Sequence, residues 1–188
     1  FPYTTLFRSD EAIVRIYDEI WWLGVNALDL TAELGYRYPV AEDAGADRRL
    51  ADELPRPQIR RWVQAALLAP AELTVRFVDA DEGRALNRDY RGKDYATNVL
   101  TFAYADGSEP VNDDDPVQAD IVLCTDVLLT EAGERKLPLQ QHAAHLIVHG
   151  VLHAQGYDHE DDDEAAEMEQ LETEILAGLG IADPYRER

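Results

Sequence analysis

The sequence predicts an α+β fold, a small mixed sheet with helices packed on it. Three observations carry that expectation. Short runs of strand length recur at Leu73–Asp79, Val99–Tyr104 and Ala119–Cys124. Segments with apolar residues at three- and four-residue spacing lie between and after them. The resulting order is strand, helix, strand, helix, two strands, then three helices, which suits helices packed on a small sheet.

The elements can be justified in chain order. Residues 1–9, FPYTTLFRS, equal the in-frame translation of a common sequencing adapter. Together with residues 10–27 they are read as a non-native or disordered extension, and residues 28–188 as a single domain. Native codons running through this stretch at the source locus would defeat that reading. A strand is expected over Ala27–Leu34 and a polar loop over Pro39–Pro55. From Arg56 to Leu68, Ile59, Trp62, Val63, Ala66 and Leu67 fall on one helical face, and Pro70 closes the helix. Leu73, Val75 and Phe77 alternate with Thr74 and Arg76, the pattern of a half-buried strand. A short helix over Ala80–Asp89 leads into a basic segment. Strands follow at Val99–Tyr104 and Ala119–Cys124, separated by an acidic loop with Gly107, Pro110 and Pro116. Asp126 is the expected N-cap of a helix running to about Lys136. Pro138 suits the first turn of the next helix. That helix carries Leu146, Ile147, Val148, Val151 and Leu152, so it is expected to be central and buried. The last helix spans about Asp161 to Ala177. Its acidic start complements the helix dipole, and Met168, Leu171, Ile175 and Leu179 form its apolar stripe.

At 188 residues and 46% hydrophobic content the chain can bury one proper core. No run approaches a membrane span, and no secretory signal is evident. The single cysteine, Cys124, excludes an internal disulfide and suits a reducing cytoplasm. A formal charge of −21 makes the protein as a whole repel polyanions, so any nucleic-acid role must rest on a local basic patch. Arg84, Arg88, Arg91 and Lys93 form such a cluster, while eight of the twelve residues from Asp158 to Glu169 are acidic.

All five histidines fall between His142 and His159. His149 and His153 are four apart, one turn apart on the same helical face. Gly156 ends the helix in the left-handed conformation that glycine adopts without steric cost. The chain then turns back, so that His159 can supply a third nitrogen. Three nitrogen donors and no cysteine form the pattern of a catalytic zinc site with an open fourth position, so one Zn2+ per chain is expected at the end of the buried central helix. His142 and His145 lie upstream, where a supporting or packing role is expected. Asp158, beside a ligand, is the expected carboxylate partner of a histidine N–H. The spacing equals that of the metzincin proteases, H-E-x-x-H-x-x-G-x-x-H, but Gly150 replaces their catalytic glutamate, which argues against peptide hydrolysis.

Three blocks resemble the YbeY family of bacterial rRNA-maturation endoribonucleases. They are ELTVRFVDADEGRALNRDYRGKDYATNVLTF from Glu72 to Phe102, ADIVLC from Ala119 to Cys124, and HLIVHGVLHAQGYDHEDDDEAAEMEQLETEIL from His145, followed by DPY at Asp183–Tyr185. The H-G-x-L-H-x-x-G-Y-D-H core beside N-x-x-Y-R-G-K-D is highly specific. Departures are Ala119, where the family often has glycine, and Thr101–Phe102–Ala103, where it often has S-F-P. The resemblance implies a metal-dependent endoribonuclease specific for single strands, acting in 3′-end maturation of small-subunit (16S) rRNA and in ribosome quality control. It implies His149, His153 and His159 as zinc ligands and Arg91 as the functional arginine, while Arg84, Arg88 and Lys93 are candidates for gripping RNA. Expected partners are rRNA and the small ribosomal subunit with ribosomal proteins or assembly factors, and neither DNA nor membrane. Two other readings compete: a ribosome-assembly factor with a structural metal, and a zinc hydrolase of another substrate.

Overall fold

The computed structural model describes residues 8–9, 12–18, 50, 52–104, 116–159 and 161–186, with 8–9, 12–18 and 162 described by backbone alone. Strands β1 (Arg8–Ser9), β2 (Ala12–Asp18), β3 (Ala71–Val78), β4 (Val99–Ala103) and β5 (Val117–Cys124) form one sheet in the order β1-β2-β3-β5-β4. The pairs β2–β3 and β3–β5 are parallel, while β1–β2 and β4–β5 are antiparallel, so the sheet is mixed. Strands β1 and β2 fall within residues 1–27, and nothing in the site below depends on them. The strand expected over Ala27–Leu34, and nearly all of the acidic loop before Val117, lie outside the described residues.

Among the described residues, the helices of this domain include α1 (Arg56–Ala66), α2 (Ala80–Arg91), α3 (Thr125–Glu134), α4 (Leu139–Ala154) and α5 (Asp162–Gly178). The α+β class and the order of elements from α1 onward follow the sequence pattern. Alternation decides which strand residues meet which helices. Leu73, Val75, Phe77, Ile121 and Leu123 point to one face, where they join residues of α1, α4 and α5 in the main core. Val78, Leu100, Val122 and Cys124 point to the other, where Leu86 of α2 packs against them. Cys124 is buried and unbridged, which burial makes inert by pushing its thiol above the ordinary value.

Helix α4 is central, as its sequence predicts. Leu146, Ile147, Val148, Val151 and Leu152 are all buried, and each contributes about 1.5–3 kcal/mol relative to exposure. Its close seat on the sheet depends on Gly150. A Cβ there would stand 2.7 Å from Ile121 Cγ2, 3.3 Å from Thr101 Oγ1 and 3.4 Å from Val99 Cγ2. No side chain fits, and Thr101 Oγ1 instead donates to the Gly150 carbonyl at 3.2 Å.

Two local expectations need correction. Asp126 is not the cap of α3; that place is held by Cys124, and the Asp126 carboxylate accepts from Ala80 N at 2.8 Å. It therefore ties the start of α3 to the start of α2, satisfying one of the free N–H groups of the first turn of α2. The stretch read as a loop up to Pro55 contains Leu50 and Leu54, both buried in the main core, with Leu54 N donating to Leu50 O at 2.7 Å. Their four-residue spacing was masked by the charged residues between them.

Beyond α4, the Gln155 side chain links two helix ends. Its Oε1 accepts from Leu68 N and Ala69 N, and its Nε2 donates to the carbonyls of Ala66 and Val151. The C-terminus of α1 is thus fastened to the C-terminus of α4.

Candidate metal centre

The end of α4 and the turn after it bring three imidazoles together. His149 and His153 share a face one turn apart, and the helix stops after Ala154. Gly156 takes φ +90°, the left-handed region that favours glycine. That turn carries His159 back over the helix end. One ligand nitrogen from each of His149, His153 and His159 lies within 4.8 Å of the others. His149 and His153 are part-buried and His159 is exposed.

The spacing suits a small cation. A tetrahedral zinc with bonds near 2.0–2.1 Å separates its nitrogen donors by about 3.3 Å, and His149 Nε2 and His153 Nε2 stand 3.1 Å apart. His149 Nδ1 is 2.7 Å from Glu172 Oε1. A carboxylate accepts only, so Nδ1 carries the proton and Nε2 turns a lone pair toward His153. A proton of His153 or a cation can be held by that lone pair between the two nitrogens. Burial first, then the neighbouring charges of His149 and His159, hold His153 below the ordinary imidazole value, in the neutral form that binds metal.

Glu172 is the carboxylate that organises the centre. It is 0% exposed, on the face of α5 that also buries Met168 and Leu176 at four-residue intervals. Its second oxygen lies 2.9 Å from His145 Nε2 and accepts the Tyr185 hydroxyl. Burial alone would raise its pKa, but the hydrogen bonds from His145, His149 and Tyr185 outweigh that and bring it to about 2. The role expected of Asp158 therefore belongs to Glu172. Asp158 Oδ1 is 4.0 Å from His153 Nδ1, beyond hydrogen-bond reach, and accepts instead from His159 N at 2.8 Å. His145 touches Glu172 rather than the trio itself. His142, by contrast, faces Glu131 Oε2 at 2.7 Å, away from the trio. A charged residue interrupting the apolar spacing of α5 was the available signal for Glu172.

The trio opens on a cleft of about 380 Å³ lined by Arg91, Thr97–Leu100, Thr101, Ala103, His149, His153, Asp158 and His159. Helix α2 ends at Gly92 (φ +69°), which leaves Arg91 as its last residue, at the cleft. A cation there is favoured by the helix C-terminus. The opposite wall is strand β4, at the edge of the sheet. Cys124 N donates to Asn98 O, and Tyr104 N donates to Gln118 O. In the antiparallel ladder the even-numbered residues of β4 thus spend their main-chain groups on β5, and Thr101 and Ala103 direct theirs to the outer side of the strand. Asn98 is held by Glu131, to which its Nδ2 donates at 3.1 Å, and its Oδ1 accepts from Val99 N.

The remaining basic candidates divide. Arg84 is paired with both oxygens of Asp94 at 2.7 and 2.6 Å, and Arg88 with Asp89 at 2.9 Å. Neither lines the cleft. Among the described residues, no acidic partner of Arg91 or Lys93 is present. Tyr157 packs against the main core. No helix among the described residues is long and apolar enough to cross a membrane.

Comparison with known proteins bears on the whole of this region. The family model described as Endoribonuclease YbeY matches residues 47–180. Endoribonuclease YbeY of Janthinobacterium sp. (strain Marseille) is 65% identical over 139 residues, 74% of this chain and 89% of that protein. Endoribonuclease YbeY of Herminiimonas arsenicoxydans is 65% identical over 144 residues, 76% of this chain and 92% of that protein. The solution structure of TM1509 from Thermotoga maritima aligns with 23% identity and a TM-score of 0.43, covering 76% of this chain and 95% of that one, a likeness too distant to carry weight.

Proposed function

The chain belongs to the YbeY endoribonuclease family, and from that premise we propose that it is a metal-dependent endoribonuclease cutting single-stranded RNA. Its place is 3′-end maturation of 16S rRNA and ribosome quality control in the cytoplasm, on the small subunit with ribosomal proteins or assembly factors. The observation that carries the reading is a histidine trio facing an open cleft with Arg91 also lining it. A structural zinc site closes its metal with four protein ligands; among the described residues three donors meet at the cleft, which favours catalysis over a purely structural ion.

His149, His153 and His159 would hold the ion, and zinc leads on donor type. When bound, it supplies Lewis acidity toward a phosphoryl oxygen. The protein's own groups do the rest. Glu172 keeps the His149 proton on Nδ1, so that Nε2 stays a donor to the ion. The Arg91 guanidinium meets two phosphate oxygens as charge builds on them. The main-chain groups of Thr101 and Ala103, which have no partner among the described residues of β5, offer donors and acceptors to an extended strand. The cleft volume lies at the lower end of small-ligand pockets, which suits one unpaired nucleotide rather than a duplex. Gly150 has no room for a general base, and Asp158 is the one carboxylate among the described residues lining the cleft.

Metal analysis of purified protein beside cleavage of single-stranded RNA, with and without chelator, tests this reading. Wild type is expected to carry about one zinc and to lose cleavage with chelator, and His153→Ala to remain folded while losing both. A folded, metal-loaded wild type that never cuts RNA or assembled subunits would leave the assembly-factor reading standing instead.

A further inference from the structure

The motif Asp183–Tyr185 lies past the last helix, far in sequence from the histidines, and the function above makes no use of it. The structure gives it a place. After α5 the chain turns at Gly180 and doubles back, with Ile181 N donating to Leu176 O at 2.9 Å. Asp183 Oδ1 accepts from Tyr185 N at 2.8 Å, which closes the turn, and lies 3.5 Å from Thr173 Oγ1, whose proton goes to Glu169 O at 2.9 Å, so the turn sits against α5 beside Glu172. The Tyr185 ring meets His145 edge-on at 5.5 Å between centroids, and its hydroxyl donates to Glu172 Oε2.

We propose that this C-terminal turn is a working part of the metal centre: Tyr185, through the buried Glu172 carboxylate, positions His149 and thereby sets the affinity for the divalent ion. The inference rests on the metal site proposed above. Among the described residues, the ion pairs of Glu172 are with imidazoles, and three donors hold its carboxylate. His149 Nδ1 meets one oxygen, and His145 Nε2 and the Tyr185 hydroxyl meet the other. Removing the hydroxyl leaves the second oxygen to His145 alone. The carboxylate then gains freedom to rotate, and with it the His149 ring that it holds. A ligand ring that samples several orientations binds its ion more weakly than one held in place. Tyr185 and Glu172 are thus positioning residues, acting on the ion only through His149.

The test is Zn2+ binding by full-length protein, measured by competition with a chromophoric chelator in the absence of RNA. Glu172→Gln keeps the shape of the side chain and Tyr185→Phe keeps the ring against His145. Both are expected to weaken Zn2+ binding by roughly ten- to a hundredfold, the usual range for partners of metal-bound histidine. Glu174→Gln, on the exposed side of the same helix, is expected to change nothing. Thermal midpoints of the metal-free proteins separate positioning from folding, since Tyr185→Phe is expected to melt near wild type while binding zinc poorly. Nitrogen NMR provides a further signature: His149 protonated at Nδ1 in wild type, with that preference lost in Glu172→Gln. Zinc binding by Tyr185→Phe within twofold of wild type would overturn the proposal, whatever Glu172→Gln does. A wild type that binds no zinc at all would instead remove the metal site itself, a different and recognisable failure.

Discussion

Replacing Gly150 with alanine asks whether contact between helix α4 and the sheet fixes the two histidines that flank this position. The new Cβ would lie 2.7 Å from Ile121 Cγ2, whereas carbon atoms rest at about 3.5–4.0 Å. About 1 Å of space must therefore be found. Ile121 is fully buried in close-packed β5 and its β-branched side chain is stiff at χ1, so the helix must lift or slide. Overpacking of this kind costs about 1–3 kcal/mol, while replacing glycine in a helix interior returns about 1 kcal/mol. The net loss lies between nearly nothing and about 2 kcal/mol, or a fall of a few degrees in the melting midpoint. Metal binding is the more sensitive readout, because donor distances must hold to about 0.2 Å and the displaced segment carries both His149 and His153. Zn2+ affinity is expected to fall at least about tenfold even where the fold survives. Thermal melts of metal-free protein and a chelator competition titration measure the two quantities separately. A Gly150→Ala protein that melts at or above wild type and binds zinc equally well would refute the reasoning. Gly150→Glu, which restores the protease spelling, is expected to disrupt the packing and to yield no cleavage of casein.

Three further outcomes are expected. Arg91→Ala should lower RNA cleavage by about 10²–10³-fold with zinc content unchanged, and Arg91→Lys should recover little because a single ammonium cannot meet two oxygens in a plane; steady-state kinetics with metal analysis check both. Lys93→Ala should reduce the salt dependence of RNA binding by about one unit of slope. Arg84→Ala and Arg88→Ala, already engaged by Asp94 and Asp89, should reduce it less, as titrations across salt concentrations would reveal. Metal-free protein should lose stability on acidification through about pH 6.5: burial holds His142 below the ordinary imidazole value, only partly opposed by Glu131, so the unfolded chain takes up the proton more readily. Denaturant melts from pH 8 to pH 5 would show the decline, and a flat profile would contradict it.

The histidine trio was legible because helical periodicity and one glycine specify where three side chains must meet. The strands of the sheet core were legible because their alternation is strong. The carboxylate that holds His149 was not, since sequence proximity pointed to Asp158 while the partner came from Glu172 in another helix. Asp126 looked like a cap because it stands at a helix start, yet its carboxylate serves the neighbouring helix. Gly150 read as a missing base, and only packing explains why nothing larger can stand there. Spacing alone did not separate Arg91 from Arg84 and Arg88, which only the family resemblance did; helix geometry and nearby aspartates set them apart, and leave Arg91 alone of the three at the cleft.

Gln155 sits in the short stretch between the second and third histidines, and its amide is bound at both ends to the far terminus of α1. A loosening of that early helix would therefore be felt directly by the returning arm that bears His159. Amide protons at Leu68 and Ala69 should exchange with solvent in step with those around residues 156–159, as one opening unit, even though almost ninety residues of chain lie between them.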